Sequence, residues 1–177
     1  MELALAMGAR RVIGLGRTQA KLEAWKNHFG PAKAARVEIV AITGDATKDT
    51  ELIKAATPQG AGAEVFLDLS PTAATEGVPA LLKSAIGALK LRGRLALMGG
   101  IFTDVSLPYS QILIKDIQVL GKFMNERPGQ VIHLLECGLL DLDDYEEKVY
   151  KGLDQIDEAL DDAAKTSTYK QTVVLNL

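Results

Sequence analysis

The sequence predicts an α/β fold: a mostly parallel sheet with flanking helices. Three observations carry that expectation. Short apolar runs of roughly five residues alternate with amphipathic stretches of roughly ten. Gly, Pro and Asp stand at most junctions between them. Strands alternating with helices of that length build βαβ units, and such units build parallel sheets.

Each element follows in order. Residues 1–7 are apolar and helix-forming, with Gly8 at a C-cap position; they read as the tail of a helix whose front is absent. Residues 11–15 form a short strand with Gly16-Arg17 as its turn. Thr18 caps a helix over 20–29 that carries Leu22, Trp25 and Phe29 on one face, and Gly30-Pro31 stops it. Residues 37–42 are a second strand ending at Gly44-Asp45. A helix over 48–56 is closed by Pro58. A third strand over 63–69 breaks at Ser70-Pro71, and residues 80–89 are helical. Arg92-Gly93 turns into a fourth strand over 94–98, which ends at Gly99-Gly100. Residues 105–107 are extended, 110–114 make a helical turn or two, and 116–123 a further strand. A helix over 128–137 is capped by Gly138. Another spans 153–165 through Ile156, Leu160 and Ala164, and a last strand covers 171–175. No repeat, low-complexity run or linker divides the chain, so residues 1–177 are expected to form a single domain.

Composition narrows the function classes. At 47% hydrophobic and 24% charged residues the chain can bury a core without cross-links. A net charge of -3 gives no basis for nucleic-acid binding. Charge is uneven: Arg10, Arg11, Arg17, Lys21, Lys26, Lys33 and Arg36 crowd the first quarter, and acids crowd residues 136–162. The plain reading is solvated helix faces. The single cysteine, Cys137, excludes an internal disulfide and fits a reducing compartment. No apolar run approaches membrane-span length, and the start lacks a basic n-region, so a cytoplasmic protein without membrane contact is expected.

Ligands of open parallel sheets bind beyond the carboxyl ends of the strands. Those ends are Gly14-Leu15-Gly16-Arg17, Thr43-Gly44-Asp45, Asp68-Leu69-Ser70, Met98-Gly99-Gly100 and Phe123-Met124-Asn125. Asp68 is either a general base, if burial raises its pKa, or the cap of the next helix. Tyr109, Asp116, Asn125 and Glu126 could gather near the same mouth or at a subunit interface. Soft metal donors are few: His28, His133 and Cys137. His133 and Cys137 share a helix face at i,i+4, but zinc needs three or four ligands, so no metal is expected. Cys137 reads as buried packing. No Ser/His/Asp ordering suggests a nucleophilic triad.

As a series, these pieces resemble the cofactor domain of the medium-chain, zinc-type alcohol dehydrogenase/reductase family. The resemblance runs through residues 1–17, Gly44-Asp45, the run from Leu89 to Gly100, Leu107-Pro108-Tyr109 and residues 116–124. Gly138-Leu139-Leu140-Asp141, Ile156-Asp157-Glu158-Ala159-Leu160 and Val173-Val174-Leu175 complete it. It implies a truncated Rossmann-like domain, the C-terminal part of the nicotinamide-binding domain only. It further implies cofactor contacts at Gly14, Gly16, Arg17, Asp45, Ser70, Met98, Gly99, Gly100, Phe123 and Met124. Arg17 falls where the second strand of that domain meets the adenosine ribose. An acid there would favour NAD, whereas an arginine accommodates the 2′-phosphate of NADP. Asp68 and Tyr109 are the candidate catalytic groups. A homodimer is implied through the edge near residues 105–108 and 117–123.

Two parts of the family pattern are missing. The zinc-binding catalytic half has no counterpart, so zinc-assisted alcohol oxidation is expected to be absent. The first strand and its G-x-G-x-x-G loop are missing too; Gly14-Leu15-Gly16 is the nearest string. That strand would be the middle one in the order 3-2-1-4-5-6. The neighbours could close up, a partner could supply it, or the sequence could be a piece of a longer product. Three functions stay open: an NADP(H)-dependent reductase of a small carbonyl or enone; a redox-inactive isomerase, dehydratase or cyclase acting on an apolar small molecule; or a non-catalytic binding or regulatory module.

Overall fold

The computed structural model describes residues 1–69, 79–99, 101, 104–121, 128–140, 146–165 and 171–176. The chain divides into two compact units, one made of Met1 with Ala9–Glu126, the other of Glu2–Gly8 with Arg127–Leu177.

The larger unit begins with β1 (Val12–Gly16) and β2 (Val37–Ala41), paired in parallel with Val12 opposite Val37 and Gly16 opposite Ala41. The helix between them, α2 (Gln19–Lys26), starts at Thr18, whose carbonyl accepts from the Leu22 amide at 3.2 Å. Leu22 and Phe29 are buried, and Trp25 meets Phe29 edge-on with centroids 4.9 Å apart. Gly30-Pro31 does not simply stop this helix. Pro31 opens a further short turn, α3 (Pro31–Ala34), because its fixed φ and missing N–H suit a first helical position.

A second parallel sheet has the order β3 (Ala63–Asp68), β4 (Leu89–Leu97), β5 (Gln118–Gly121). The connecting helices are α4 (Ala46–Ala55), which leads into β3, then α5 (Ala80–Ala88) and α6 (Tyr109–Lys115). The Arg92-Gly93 turn lies inside β4 rather than ahead of it. The register jumps from Ala63 opposite Leu89 to Val65 opposite Arg94, and Arg92 takes φ 59°, so the strand bulges there. Leu82, Ala85, Ile86, Leu89, Leu95 and Ile117 form the main core. Lys115 closes the end of α5: its Nζ donates to the carbonyls of Ile86, Gly87 and Leu89 at 3.0, 2.7 and 3.1 Å. Burial, then the charge of Lys54, lowers the pKa of this ammonium.

α4 packs on α5, with the bare face of Gly87 against Thr50. Val40, Ile53 and Ala88 make a second core there, joined by Ile13 and Leu15. The helix pair thus ties the two sheets together. The strands do not close up: among the described residues β1 pairs only with β2, and β3 only with β4.

The smaller unit holds α1 (Glu2–Ala6), which ends at Gly8 with φ 91°, and α7 (Pro128–Glu136). Gly138 takes φ 65° just past α7, as expected of a C-cap glycine. β6 (Glu146–Lys151) and β7 (Gln171–Asn176) pair in parallel around α8 (Ile156–Lys165), which a 3-10 turn at Leu153–Gln155 precedes. The Tyr150 hydroxyl, on a buried ring, donates to Asp162 Oδ2 at 2.6 Å. β6 was not expected from the sequence. Its Glu-Glu-Lys-Val-Tyr-Lys run lacks an apolar stretch, and its partner lies twenty-odd residues further on.

Candidate functional site

Because every strand pair is parallel, the carboxyl ends of the strands in each sheet gather at one side. The larger unit therefore presents two groups of expected site residues. The first is at the β1–β2 end. There the Ile42 amide donates to the Gly16 carbonyl at 2.9 Å, which sets Gly16 and Arg17 beside Thr43-Gly44-Asp45, whereas Gly14 lies mid-strand opposite Ile39. The second is at the β3–β4 end. There the Met98 amide donates to the Asp68 carbonyl at 3.0 Å, which sets Asp68 beside Met98 and Gly99. Ser70, Gly100, Phe123 and Met124 lie outside the described residues, as do Asn125 and Glu126.

At the first end the glycines already have structural work. A Cβ on Gly14 would stand 2.9 Å from the Trp25 ring, and one on Gly16 3.0 Å from Leu22. Their bareness lets α2 lie close on β1. Arg17 is different. It is exposed just past the strand and makes no hydrogen bond or ion pair with any described residue. Its guanidinium is thus available to an anion in solution.

Asp45 is a helix cap. Its Oδ1 accepts from the Thr47 and Lys48 amides at 2.9 and 3.1 Å. Those two bonds, Lys48 first, lower its pKa, and the charge of Lys48 adds to them. A carboxylate with a depressed pKa contributes stability above its unfolded pKa, near 3.9, and loses it as pH falls through the lower folded value. Amide protection at Thr47 and Lys48 should therefore drop in that acid window. In Asp45→Ala it should be low at every pH, and hydrogen exchange by NMR checks this.

Sequence reasoning passed over Asp49, which shapes this end. It is 1% exposed and accepts from the Thr43 amide at 2.7 Å, the Thr43 hydroxyl at 2.8 Å and the Gly44 amide at 3.0 Å. A signal was present: Asp49 shares an i, i+4, i+7 face with Ile53 and Ala56, where a carboxylate is out of place unless bonded.

At the second end Asp68 is 4% exposed and is not without a polar or electrostatic partner. It does not cap the next described helix, since Pro79 holds the N-cap of α5. Tyr109 opens α6 and is 75% exposed. Cys137 is exposed rather than buried, because it falls just past the end of α7; its Sγ lies 3.6 Å from Nε2 of His133. Among the described residues no group of three or more His, Cys, Asp or Glu side chains could hold a metal ion.

Comparison with known proteins places this frame. A family model described as zinc-binding dehydrogenase matches residues 1–137. The chain belongs to that family. Its fold is the Rossmann-like domain of such dehydrogenases. Benzyl alcohol dehydrogenase from Acinetobacter calcoaceticus superposes with a TM-score of 0.68 at 20% identity, over 99% of this chain and 45% of that one. The 2R,3R-butanediol dehydrogenase of Bacillus subtilis gives 0.70 at 21% identity, over 99% and 46%. A short chain alcohol dehydrogenase of E. coli CFT073, complexed with NADH, gives 0.71 at 16% identity, over 99% and 48%. No curated protein matches the sequence significantly. The chain spans about half the length of these solved structures. The zinc in the family's name finds no set of three donors among the described residues here.

Proposed function

We propose that this alcohol-dehydrogenase-like nucleotide-binding domain takes NADP(H) and serves a reductase that acts on a small carbonyl or enone without zinc. The observation that carries the reading is Arg17: an exposed side chain without a partner among the described residues, one residue past the end of β1. A guanidinium binds a phosphate dianion through paired N–H donors, and a solvated carboxylate at that place would repel it. The fit is to the ribose-phosphate end of the cofactor only. The sequence has no G-x-G-x-x-G to cradle a pyrophosphate.

When bound, the reduced nicotinamide supplies a hydride to an electrophilic carbon. The proposal gives this chain's residues three tasks. Arg17 holds the 2′-phosphate. Met98 and Gly99, beyond β4, leave room beside the ring. Asp68 or Tyr109 delivers the proton that the reduced substrate oxygen requires. A homodimer joined through β5 accompanies the reading. It is supported by β5's place at the end of its sheet with all four residues exposed. Twice the monomer mass in sedimentation is the expected result. The single, unpaired cysteine supports a cytoplasmic setting, and no described helix is long and apolar enough to cross a membrane.

Fluorescence titration of the 177-residue chain with NADPH and NADH tests the cofactor. NADPH should bind more tightly, and Arg17→Ala should weaken NADPH by about tenfold, roughly 1.4 kcal/mol, while leaving NADH unchanged. No binding of either nucleotide up to millimolar concentration ends the proposal.

A further inference from the structure

Soft metal donors are scarce in this chain, which has one cysteine and two histidines. Two of the three meet at the end of α7. The Cys137 amide donates to the His133 carbonyl at 3.0 Å, so one helical turn fixes both residues on one face. Cys137 Sγ lies 3.6 Å from His133 Nε2 and 3.8 Å from Nδ1. The turn is locked from behind. The Gly138 amide donates to the Leu135 carbonyl and the Leu139 amide to the Leu134 carbonyl, both at 2.9 Å, with Gly138 at φ 65°. The two donors are thus held together by the main chain before any ligand arrives.

Their spacing matches one edge of a tetrahedral metal shell. Zinc bonds a thiolate at about 2.3 Å and an imidazole nitrogen at about 2.0–2.1 Å, and a tetrahedral angle between those bonds sets S and N about 3.6 Å apart. Both side chains are exposed. One turn back on the same face is Gly129, where an added Cβ would meet nothing within 4 Å. The face is therefore open to a second molecule as well as to an ion. One chain brings half of a zinc shell, since no third His, Cys, Asp or Glu joins the pair among the described residues.

We propose that His133 and Cys137 form half of a zinc site, completed by the same pair from a second copy of this chain. Two thiolates and two imidazoles make a closed tetrahedral shell of the kind that holds structural zinc. A two-fold axis through the ion lets one surface serve both copies. Each Cys137 thiol gives its proton to the buffer as its sulfur bonds the metal, and each His133 contributes a neutral ring nitrogen. Two chains and one zinc ion therefore release two protons, and no electron moves. The ion joins chains and takes no part in the hydride chemistry proposed above. The inference does not rest on the cofactor.

Sedimentation of the 177-residue chain in a non-chelating reductant tests the site, with zinc chloride as the probe. One zinc ion per two chains should at least double the mass found without metal, and EDTA should restore it. The step is read against the metal-free mass, so it stands apart from the β5 association. Cobalt(II) in place of zinc should give the visible bands of a tetrahedral ion and the near-ultraviolet band of a cobalt–thiolate bond, which only Cys137 can supply. Cys137→Ser should abolish that band and raise the zinc needed for half-association at least about tenfold. His133→Ala should raise it similarly, whereas His28→Ala should leave it unchanged. Neither His133 nor Cys137 belongs to a described core, so the variants should fold. Unchanged mass with zinc, a zinc-induced rise that survives EDTA or Cys137→Ser, or one zinc ion bound per chain without a change of mass overturns the proposal.

Discussion

Asp49→Ala is expected to lower the free energy of unfolding by about 2–3 kcal/mol, a sizeable part of what holds a domain of this size. The carboxylate is buried and accepts three hydrogen bonds at 2.7–3.0 Å from Thr43 and Gly44. Removing it costs two main-chain amides and a hydroxyl their partner, but Thr43 and Gly44 are exposed, so water replaces part of the loss. The net cost is that of about three ordinary hydrogen bonds, each about 0.5–1.5 kcal/mol, less what water returns. Asp49→Asn keeps one acceptor oxygen but turns an NH₂ group toward a donor, so it should fall between the two. Urea denaturation of the three proteins checks the order. A loss below about 1 kcal/mol for Asp49→Ala would mean that water replaces the carboxylate. The loop concerned also carries Asp45, so the variant should disturb the α4 cap as well.

Gly62→Ala is expected to cost about 3 kcal/mol or more. Gly62 has φ +93°, and a Cβ there would stand 2.5 Å from the Ala88 carbonyl oxygen. Its own amide donates to Thr57 Oγ1 at 2.9 Å, so the backbone cannot swing away without losing that bond. Gly44→Ala is the natural control. Gly44 has a similar φ, +87°, but nothing lies within 4 Å of its missing Cβ. It should cost only the conformational strain, about 1–2 kcal/mol. The difference between the two variants in thermal or urea unfolding isolates the steric term. Equal losses would show that the α5–β4 junction gives way.

Much of the fold was legible because apolar periodicity and turn chemistry agree. β1, β2, β3 and α5 fall within a residue or so of the runs that suggest them. The misses have physical causes. Gly30-Pro31 reads equally as a stop and as the start of a new turn, and Pro31 took the second part. Arg92-Gly93 looked like a turn between elements, yet pairing on both sides of it drew the bulge into β4. β6 is held by its partner strand rather than by its own composition. The site was less legible than the fold. Sequence marks strand ends, and the ends of β1 to β4 fall within a residue or so of where it marks them. It does not reveal that Gly14 and Gly16 serve α2, or that the carboxylate of Asp45 is engaged by its own helix.

The split sheet also bears on how the larger unit comes together in time. β1–α2–β2 and β3–α5–β4–β5 each close through neighbours in the chain, so each can form without the other. What joins them is the contact of α4 with α5 through Thr50 and Gly87, a seam of side chains and not a ladder of main-chain bonds. A seam of that kind couples two folding blocks weakly. Local opening of one block can then proceed while the other stays closed, and the amides of the two would report separate opening free energies.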